Sequence, residues 1–396
     1  MSDVETRSRP VWAVLAVCLL AAMLEGFDIQ SMGVAAPRMV PALGLSPGQA
    51  GWAFSASLIG LMIGASAGGT IADRIGRRPV LVFSAAAFGL FSLLTPLAKG
   101  FEALVAVRIL TGLGLGGAFP MLIALASEQA GAARKATLVT LVTAGLPLGG
   151  ALAGLLARSP LAADWRMIFV FGGVAPLIAA PLLHFTLPLG RPQAIARQGQ
   201  AALSALFAPA RLPVSLSLWL GCALAALTLH LLLNWLPTLL VARGLPKSAA
   251  FEAAALFNLG GAAGGIAFGA LSDRFGPRWP LIAAFAGLAL ALLGLAGARD
   301  GGEIALLAFL AGFLLMGGQF TLYAQAPLLY ADAVRGTGVG AAIAASRLGS
   351  IFGPLAAAEL IGGGAAGGTV VAALVPVALV TGLSAAALAW LARARR

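Results

Sequence analysis

Charge is scarce in this chain. Only 10% of its 396 residues are charged, whereas 60% are hydrophobic, and a soluble domain has about 25% charged residues. No water-soluble fold buries that much apolar surface, so the composition excludes a soluble enzyme and a nucleic-acid-binding protein. The net charge of +11 is better explained by basic residues that collect in the cytoplasmic loops of a membrane protein. We therefore expect an integral membrane protein.

Cysteine is also scarce, and a nucleotide-binding motif is missing. The two cysteines, Cys18 and Cys222, both lie inside apolar runs, which argues against a disulfide and against a metal site. An ATP-driven pump needs a glycine-rich loop that ends in Lys-Ser or Lys-Thr, but the glycine cluster at 362–368 contains no lysine. The loops are too short to hold a soluble catalytic or sensory domain. The sequence therefore indicates a membrane protein that is not an enzyme and binds no metal or other cofactor.

Long apolar runs make up most of the chain. A membrane-spanning helix needs about 20 apolar residues, and polar breaks divide the chain into twelve such runs. The longest break, 189–212, is predicted to be a central cytoplasmic loop between an N-terminal half, 1–188, and a C-terminal half, 213–396. The predicted spans cover residues 11–36, 49–71, 79–98, 103–126, 136–157, 167–188, 213–240, 250–271, 279–298, 303–330, 337–361 and 369–392.

Basic residues are distributed unequally between the two sides of the predicted bundle. If both termini are cytoplasmic, sixteen of the 25 Lys and Arg residues lie on the cytoplasmic side and seven on the opposite side. The remaining two, Arg108 and Arg347, lie within predicted spans. Because Lys and Arg are enriched in cytoplasmic loops, this bias favours cytoplasmic termini.

A charged motif recurs at an offset of 200 residues. The segments 69–78 and 269–278 share Gly, Asp, Arg, Gly and a final Arg, and two duplicated halves with a site between them are typical of transporters. We expect Gly69 and Gly269 to allow close helix approach, and the charges to form a cytoplasmic latch that breaks when the halves rock. For a single copy, a basic topogenic loop would be an equally good interpretation. The motif residues assigned to the latch are Gly69, Asp73, Arg74, Gly76, Arg77, Arg78, Asp273 and Arg274.

With these motifs the chain resembles the major facilitator superfamily over its whole length. The segment 108–116, an arginine followed by spaced glycines, is similar to the superfamily's pattern in its fourth span. The segment 23–30 resembles the aromatic acid:proton symporter family, although Glu25 stands where many members have Asp. The segments 52–56 and 119–128 look most like the 3-hydroxyphenylpropionate transporters. The resemblance implies an all-α membrane fold of twelve helices in two pseudo-symmetric six-helix halves around a central cavity.

The same resemblance implies a function. It is the proton-coupled import of an aromatic monocarboxylate, similar to 3-hydroxyphenylpropionate or hydroxybenzoate, by alternating access. The expected partners are the substrate, protons and the lipid bilayer, with no nucleic acid, and the proton gradient is the energy source. We expect a monomer in a bacterial-type cytoplasmic (inner) membrane. The alternative is an exporter or proton antiporter, which the segment 145–150 weakens because its Gly-Leu-Pro order departs from the adjacent Gly-Pro of drug antiporters.

Glu25 and Asp28 carry the strongest functional signal. A carboxylate deep in a membrane is costly, and such residues face a cavity, pair with a cation or carry protons. A spacing of three places both acids on one helix face. Two acids this close do not easily both ionise, so the pair is expected to titrate in coupled steps. The alternative is that one acid is permanently paired with an arginine. Because the symporter family uses the matching positions for transport, we predict that both residues couple protons.

Buried or interfacial arginines are the expected counterparts of these acids. Arg347 can grip a carboxylate through two contacts and keeps its charge, so we predict that it binds the substrate or a carboxylate released during transport. A fixed ion pair is the alternative. Arg335, at the cytoplasmic start of the same span, is predicted to belong to the latch. Arg108 is grouped with the latch too, and the alternative is that it snorkels or bonds backbone carbonyls. Glu128 and Arg134 fit cytoplasmic latch partners.

Polar residues within the apolar spans are candidates for the substrate cavity. An aromatic acid needs a flat apolar slot with a few aimed polar groups. His230 and Asn234, four residues apart, share one face of their helix, although a hydrogen-bonded packing role is the alternative for His230. The residues predicted to contact substrate are Arg347, Gln30, His230, Asn234, Tyr323 and Gln325.

Overall fold

The structure, a computed structural model, is built from α-helices. It describes residues 11–129, 135–188, 205–208, 211–330 and 332–393. Within these ranges there is no β-strand, and twelve helical spans are long and apolar enough to cross a membrane, which confirms the predicted number. The spans, numbered 1 to 12 in chain order, are Val11–Ala42, Pro47–Ile75, Arg77–Leu97, Phe101–Glu128, Leu138–Arg158, Arg166–Thr186, Leu212–Ala242, Lys247–Phe275, Arg278–Gly297, Gly301–Leu329, Val334–Gly362 and Gly367–Leu391.

Most spans extend beyond the apolar runs that predicted them. Span 1 continues to Ala42, and the helix that contains span 11 is Asp332–Gly362. Polar side chains cap the N-termini of two of these helices. Ser46 accepts a hydrogen bond from the backbone N–H of Gln49 at the start of span 2, and the Asp300 carboxylate accepts from two backbone N–H groups of span 10. The helices thus continue into the polar layers, where hydropathy does not mark their ends.

Three spans are interrupted, each about one turn before a proline. The helices are Phe101–Gly116 and Ala118–Gln129 in span 4, Lys135–Thr143 and Gly145–Arg158 in span 5, and Gly367–Ala372 and Leu374–Arg393 in span 12. Pro120, Pro147 and Pro376 each stand four residues beyond the end of the first helix. Because proline has no N–H to donate to the carbonyl four residues earlier, the helix ends at that carbonyl.

The backbone repeats its geometry at the same offset as the sequence motif. Span 2 ends at Gly76 with φ of 89°, and span 8 ends at Gly276 with φ of 73°. The turns after spans 1 and 7 pass through Gly44 and Gly244, with φ of 61° and 90°. All four angles lie in the left-handed region that glycine adopts without steric cost. The first six spans, here called the N half, and the last six, the C half, are therefore pseudo-symmetric.

Apolar and polar side chains are separated between outer and inner spans. Phe83 of span 3 and Phe185 of span 6 are each 73% exposed, and Leu290 of span 9 and Leu383 of span 12 are 71% and 70% exposed. Soluble proteins rarely expose so extended an apolar exterior, whereas lipid tails cover it. The chain is therefore a multi-pass membrane protein whose spans 3, 6, 9 and 12 face the bilayer.

Close backbone contacts join the two halves at the end of the bundle remote from the chain termini. There span 1 packs on span 7, span 2 on span 11 and span 5 on span 8. A Cβ at Gly33 would overlap the carbonyl oxygen of Leu233, and a Cβ at Gly51 would overlap Ala358. The absence of a side chain at these two glycines lets helices of opposite halves touch.

Polar contacts reinforce the same closed end. Nη1 of Arg158 lies 3.3 Å from Oε2 of Glu252, and the Ser55 hydroxyl donates to the carbonyl oxygen of Ile351 at 2.7 Å. Each of these contacts joins the N half to the C half. They close the bundle at the end remote from the termini.

Candidate transport site

A carboxyl group of the N half and a guanidinium of the C half lie near the middle of their spans. Glu25 lies near the middle of span 1 and is 3% exposed, and Arg347 lies near the middle of span 11 and is half-buried. The two interact electrostatically, although within the described ranges the Arg347 guanidinium forms no ion pair within 4 Å. Over the same ranges, Oε2 of Glu25 has no hydrogen-bond partner. The two groups interact without forming an ion pair, so each can take another partner.

Asp28, one turn further along span 1, is locked. Its Oδ2 lies 2.9 Å from Nη2 of Arg108 and its Oδ1 lies 3.2 Å from Nη1, so the contact is two-pronged. Both side chains are completely buried. The Ser92 hydroxyl donates to Oδ1 at 3.2 Å, and the Phe169 ring centroid lies 5.7 Å from the Arg108 guanidinium carbon. Spans 1, 3, 4 and 6 of the N half therefore converge on one ion pair.

The two acids of span 1 thus have different environments. The sequence suggested a coupled pair and left open that one acid is held by an arginine, and the structure shows the second arrangement for Asp28. The grouping of Arg108 with a cytoplasmic latch is wrong in this structure, and its guanidinium does not snorkel either. A guanidinium this deep is stabilised by the nearest carboxylate, since leaving either charge unpaired in the interior is costly.

His230 and Asn234 are both buried on span 7. Nδ1 of His230 lies 3.0 Å from the carbonyl oxygen of Ala226, and the Asn234 amide nitrogen donates to the carbonyl oxygen of His230 at 2.8 Å. One side of each group is therefore satisfied by the backbone of its own helix. These two contacts use Nδ1 of His230 and the amide nitrogen of Asn234.

A hydrogen-bonded chain links span 10 to span 11 beside Arg347. The Tyr323 hydroxyl bonds the Ser346 hydroxyl and accepts from Nε2 of Gln319 at 2.8 Å. Ser346 directly precedes Arg347, so the chain brings Tyr323 close to the guanidinium. Gln325 is half-buried and stands two residues after Tyr323, which is roughly 200° around the helix. The structure therefore brings Tyr323 into the site and leaves Gln325 on another face.

Gln30 connects the two halves. Its Nε2 donates to the carbonyl oxygen of Leu233 at 2.9 Å, and its Oε1 accepts from Nδ2 of Asn258 at 3.0 Å. Both partners belong to the C half, and all three groups are buried. In this conformation the Gln30 amide closes the central cavity on the side remote from the termini, so both of its polar ends are already occupied.

The repeated motif does not bring helices together in this conformation. A Cβ at Gly69 or at Gly269 would meet no atom within 4 Å, so the predicted close approach of helices at these glycines is wrong here. The physical reason is that the two halves are joined at the opposite end of the bundle, so no helix of the other half lies against Gly69 or Gly269. Gly76 serves the turn after span 2 instead, with its positive φ.

The predicted latch charges lie around the ends of spans near the termini. Arg77 of span 3 pairs with Glu128 of span 4, both within the N half. Asp73 and Arg78 are half-buried, while Arg74, Asp273, Arg274 and Arg335 are exposed. The Arg274 guanidinium carbon lies 5.2 Å from the Phe275 ring centroid. Arg134 lies outside the described residues.

Several residues of the site escaped the sequence analysis. Ser92, Asn258, Gln319 and Ser346 each hold a predicted site residue in place. Asn258 and Gln319 are amides inside apolar runs, which is a signal that could have found them. The serines carry little signal, because a serine within a helix commonly bonds its own backbone.

Comparison with known proteins agrees with this architecture. The sequence profile described as Major Facilitator Superfamily matches residues 18–354 and 253–395. The chain is 42% identical over 370 residues to the 3-(3-hydroxy-phenyl)propionate transporter of Escherichia coli (strain K12), covering 93% of this chain and 92% of that protein. It is 33% identical to the 4-hydroxybenzoate transporter PcaK of Pseudomonas aeruginosa, covering 93% and 91%.

A solved structure of the same fold has much lower identity. The inward-open xylose transporter XylE from E. coli superposes with a TM-score of 0.76 at 19% identity, covering 94% of this chain and 95% of that one. At this identity the likeness concerns the fold alone.

Proposed function

We propose a function for this chain from the premise that it belongs to the Major Facilitator Superfamily, a family of transporters and not of enzymes. The protein imports an aromatic monocarboxylate together with a proton, and its substrate is similar to 3-hydroxyphenylpropionate or hydroxybenzoate. The relatives named above carry such acids in their names, and their similarity extends over nine-tenths of the chain. The proton gradient is the energy source, and no cofactor takes part.

One observation carries the proposal, namely that Glu25 and Arg347 interact electrostatically but form no ion pair within 4 Å among the described residues. With Glu25 ionised, the carboxylate and the guanidinium together have no net charge. With Glu25 protonated, Arg347 is free to bind the substrate carboxylate through two contacts, and the site again has no net charge. A proton alone or a substrate alone leaves one uncompensated charge, which is costly inside the membrane. The halves therefore rock when the site is empty or holds both ligands.

Asp28 has a different role in this cycle. Its pairing with Arg108 and its bond from Ser92 hold its carboxylate in place. The fixed pair holds spans 1 and 4 together as the N half moves as a body. Proton coupling thus belongs to Glu25, and Asp28 acts by positioning span 1.

The orientation follows from the distribution of basic residues. The bias of Lys and Arg supports cytoplasmic termini in a bacterial-type cytoplasmic membrane. The joined end of the halves then faces outwards, and this conformation releases substrate to the cytoplasm. Because one chain carries both halves of the pathway, we propose a monomer.

Uptake into proteoliposomes tests the function. Labelled 3-(3-hydroxyphenyl)propionate is offered to the purified protein with and without an inward proton gradient, with benzoate and 4-hydroxybenzoate as competitors. We expect accumulation only with the gradient. Glu25→Gln is expected to abolish accumulation while it retains exchange of internal for external substrate, because the site stays permanently in its protonated form.

The matched control is Glu102→Gln, which removes an exposed carboxylate at the start of span 4. It is expected to accumulate substrate as the wild type does. Full gradient-driven accumulation by Glu25→Gln would contradict the assignment of the coupling residue. No uptake by folded wild-type protein would refute import of this acid, and efflux from loaded vesicles would then support an exporter.

A further inference from the structure

Gln319 is a buried amide with one unsatisfied polar atom. It lies on span 10 and is 3% exposed. Its Nε2 donates to the Tyr323 hydroxyl at 2.8 Å, whereas its Oε1 has no hydrogen-bond partner among the described residues. A buried acceptor without a partner is destabilising, and Oε1 has the capacity to accept a hydrogen bond from a group that arrives with the substrate.

The neighbours of Gln319 connect it to the substrate-binding guanidinium. Tyr323 is one turn along the same face of span 10 and bonds Ser346 of span 11. Ser346 precedes Arg347, which also interacts electrostatically with the Tyr323 hydroxyl. The chain from Gln319 through Tyr323 to Ser346 therefore starts at the unsatisfied oxygen and ends beside the proposed carboxylate site.

An aromatic acid with a polar group on its ring can satisfy both ends of this chain. Its carboxylate binds at Arg347, and a ring hydroxyl reaches the Gln319 amide. A hydroxyl donates to Oε1 as the amide now stands, and it accepts from Nε2 if the amide is turned over, since a hydroxyl both donates and accepts. An unsubstituted ring leaves the buried amide atom unpaired in either orientation.

We propose that Gln319 is a specificity-determining residue whose side-chain amide recognises a hydroxyl group on the aromatic ring of the substrate. This inference rests on the proposed function, because it assumes that the carboxylate of an aromatic acid binds near Arg347. It adds a single residue that distinguishes hydroxylated aromatic monocarboxylates from their unhydroxylated counterparts.

The test compares two acids that differ only in the hydroxyl. Dissociation constants of 3-(3-hydroxyphenyl)propionate and of 3-phenylpropionate are measured on the purified full-length protein by titration calorimetry. We expect the wild type to bind the hydroxylated acid about five- to tenfold more tightly, the value of one hydrogen bond to a neutral group. Gln319→Leu is expected to abolish this preference by weakening the hydroxylated acid alone.

Thr321→Val is the matched control on the same helix. Thr321 is buried too, but its hydroxyl is satisfied by the carbonyl oxygen of Gly317 at 2.9 Å, so the preference is expected to persist. Gln319→Met gives a second, unbranched apolar variant if Gln319→Leu does not fold.

Three results would overturn the inference. They are a wild type without preference, a Gln319→Leu variant that keeps the preference, and a variant that binds both acids equally less well. The last result would show that Gln319 acts by holding Tyr323 in place and not by recognising the hydroxyl group. If the folded wild type binds neither acid, the proposed function itself fails, which separates that failure from a failure of Gln319 alone.

Discussion

At the scale of the residue, three charges in the middle of the bundle determine what is fixed and what can change. Asp28 and Arg108 satisfy each other through two hydrogen bonds, and Ser92 adds a third to the carboxylate. Glu25, one turn earlier, keeps an unpartnered oxygen among the described residues. The structural acid and the proposed coupling acid therefore respond differently to the loss of their charge.

Asp28→Asn is expected to destabilise the protein strongly, because it leaves the Arg108 charge buried without a counter-charge. Removing one partner of a buried pair costs about 3–5 kcal/mol. Glu25→Gln removes a carboxylate that forms no ion pair within 4 Å among the described residues, so it is expected to lower the unfolding temperature less than Asp28→Asn does. Thermal unfolding of the detergent-purified variants measures the difference.

The double variant Asp28→Asn/Arg108→Gln is the control for this prediction. It removes both charges, so it should recover part of the stability that Asp28→Asn loses. Equal stability of Asp28→Asn and Glu25→Gln would contradict the distinction between the two acids.

The sequence could show that Glu25 and Asp28 are buried acids, because charged residues inside an apolar run are conspicuous. It could not show which of them takes Arg108. The two acids lie one turn apart on the same helix face, and the choice depends on how span 1 is rotated against its neighbours. That rotation is set by tertiary packing, such as the contact of Gly149 with the backbone of Met23, which no pattern in one helix encodes.

At the scale of the element, glycines fall into two groups according to which helices they bring together. A Cβ at Gly149 would overlap the backbone of Met23, so this glycine packs span 5 on span 1 within the N half. A Cβ at Gly51 would overlap Ala358 and so packs span 2 on span 11 between the halves. Contacts within a half persist when the halves rock, whereas contacts between halves break.

Gly149→Leu is therefore expected to reduce stability in every conformation, and Gly51→Leu to shift the protein towards the conformation in which spans 2 and 11 are apart. A cysteine in place of Ser55, which is buried between these spans, reports the shift. We expect a water-soluble maleimide to label Ser55→Cys poorly on its own and well in the Gly51→Leu background. Unchanged labelling would show that the protein accommodates the side chain added at position 51 without separating spans 2 and 11.

Gly69→Trp tests the opposite end of the same spans. Because a Cβ at Gly69 meets nothing within 4 Å and the position is exposed, the variant is expected to fold and to bind substrate. Transport should fail, since the indole would obstruct the approach of the halves that the repeated motif predicts for the opposite conformation. Gly297→Trp, also unobstructed but at the exposed end of span 9, is the control that should transport normally. Normal transport by Gly69→Trp would contradict the assignment of Gly69 to the latch.

At the scale of the whole molecule, transport requires the closed end of the bundle to open. The hydrophobic pattern predicted the number of spans, because length and apolarity are properties of each segment alone. It could not predict which end is joined, since both conformations of a transporter are compatible with one sequence. The contacts of Gly33, Gly51 and Gln30 with the C half supply that information.

Joining the closed end covalently is expected to stop transport. In a Gly51→Cys/Ala358→Cys variant the two Cβ atoms start closer than a disulfide needs, so a small shift brings them into the required range of about 3.5–4.5 Å. We expect oxidation to abolish uptake and a reductant to restore it. Each single cysteine variant should be insensitive to oxidant, because the native Cys18 and Cys222 are buried. Full uptake by the oxidised, cross-linked protein would show that this end does not open during transport.

The buried ion pair also sets a timetable for assembly in the cell. Asp28 and Arg108 are 80 residues apart in sequence, and ribosomes add roughly 5–20 residues per second. For about 4–16 s after Asp28 is synthesised, its carboxyl group therefore has no Arg108 to pair with. The ion pair that joins span 1 to span 4 therefore forms only after span 4 has been synthesised. Span 1 reaches its final packing later than its position in the sequence suggests.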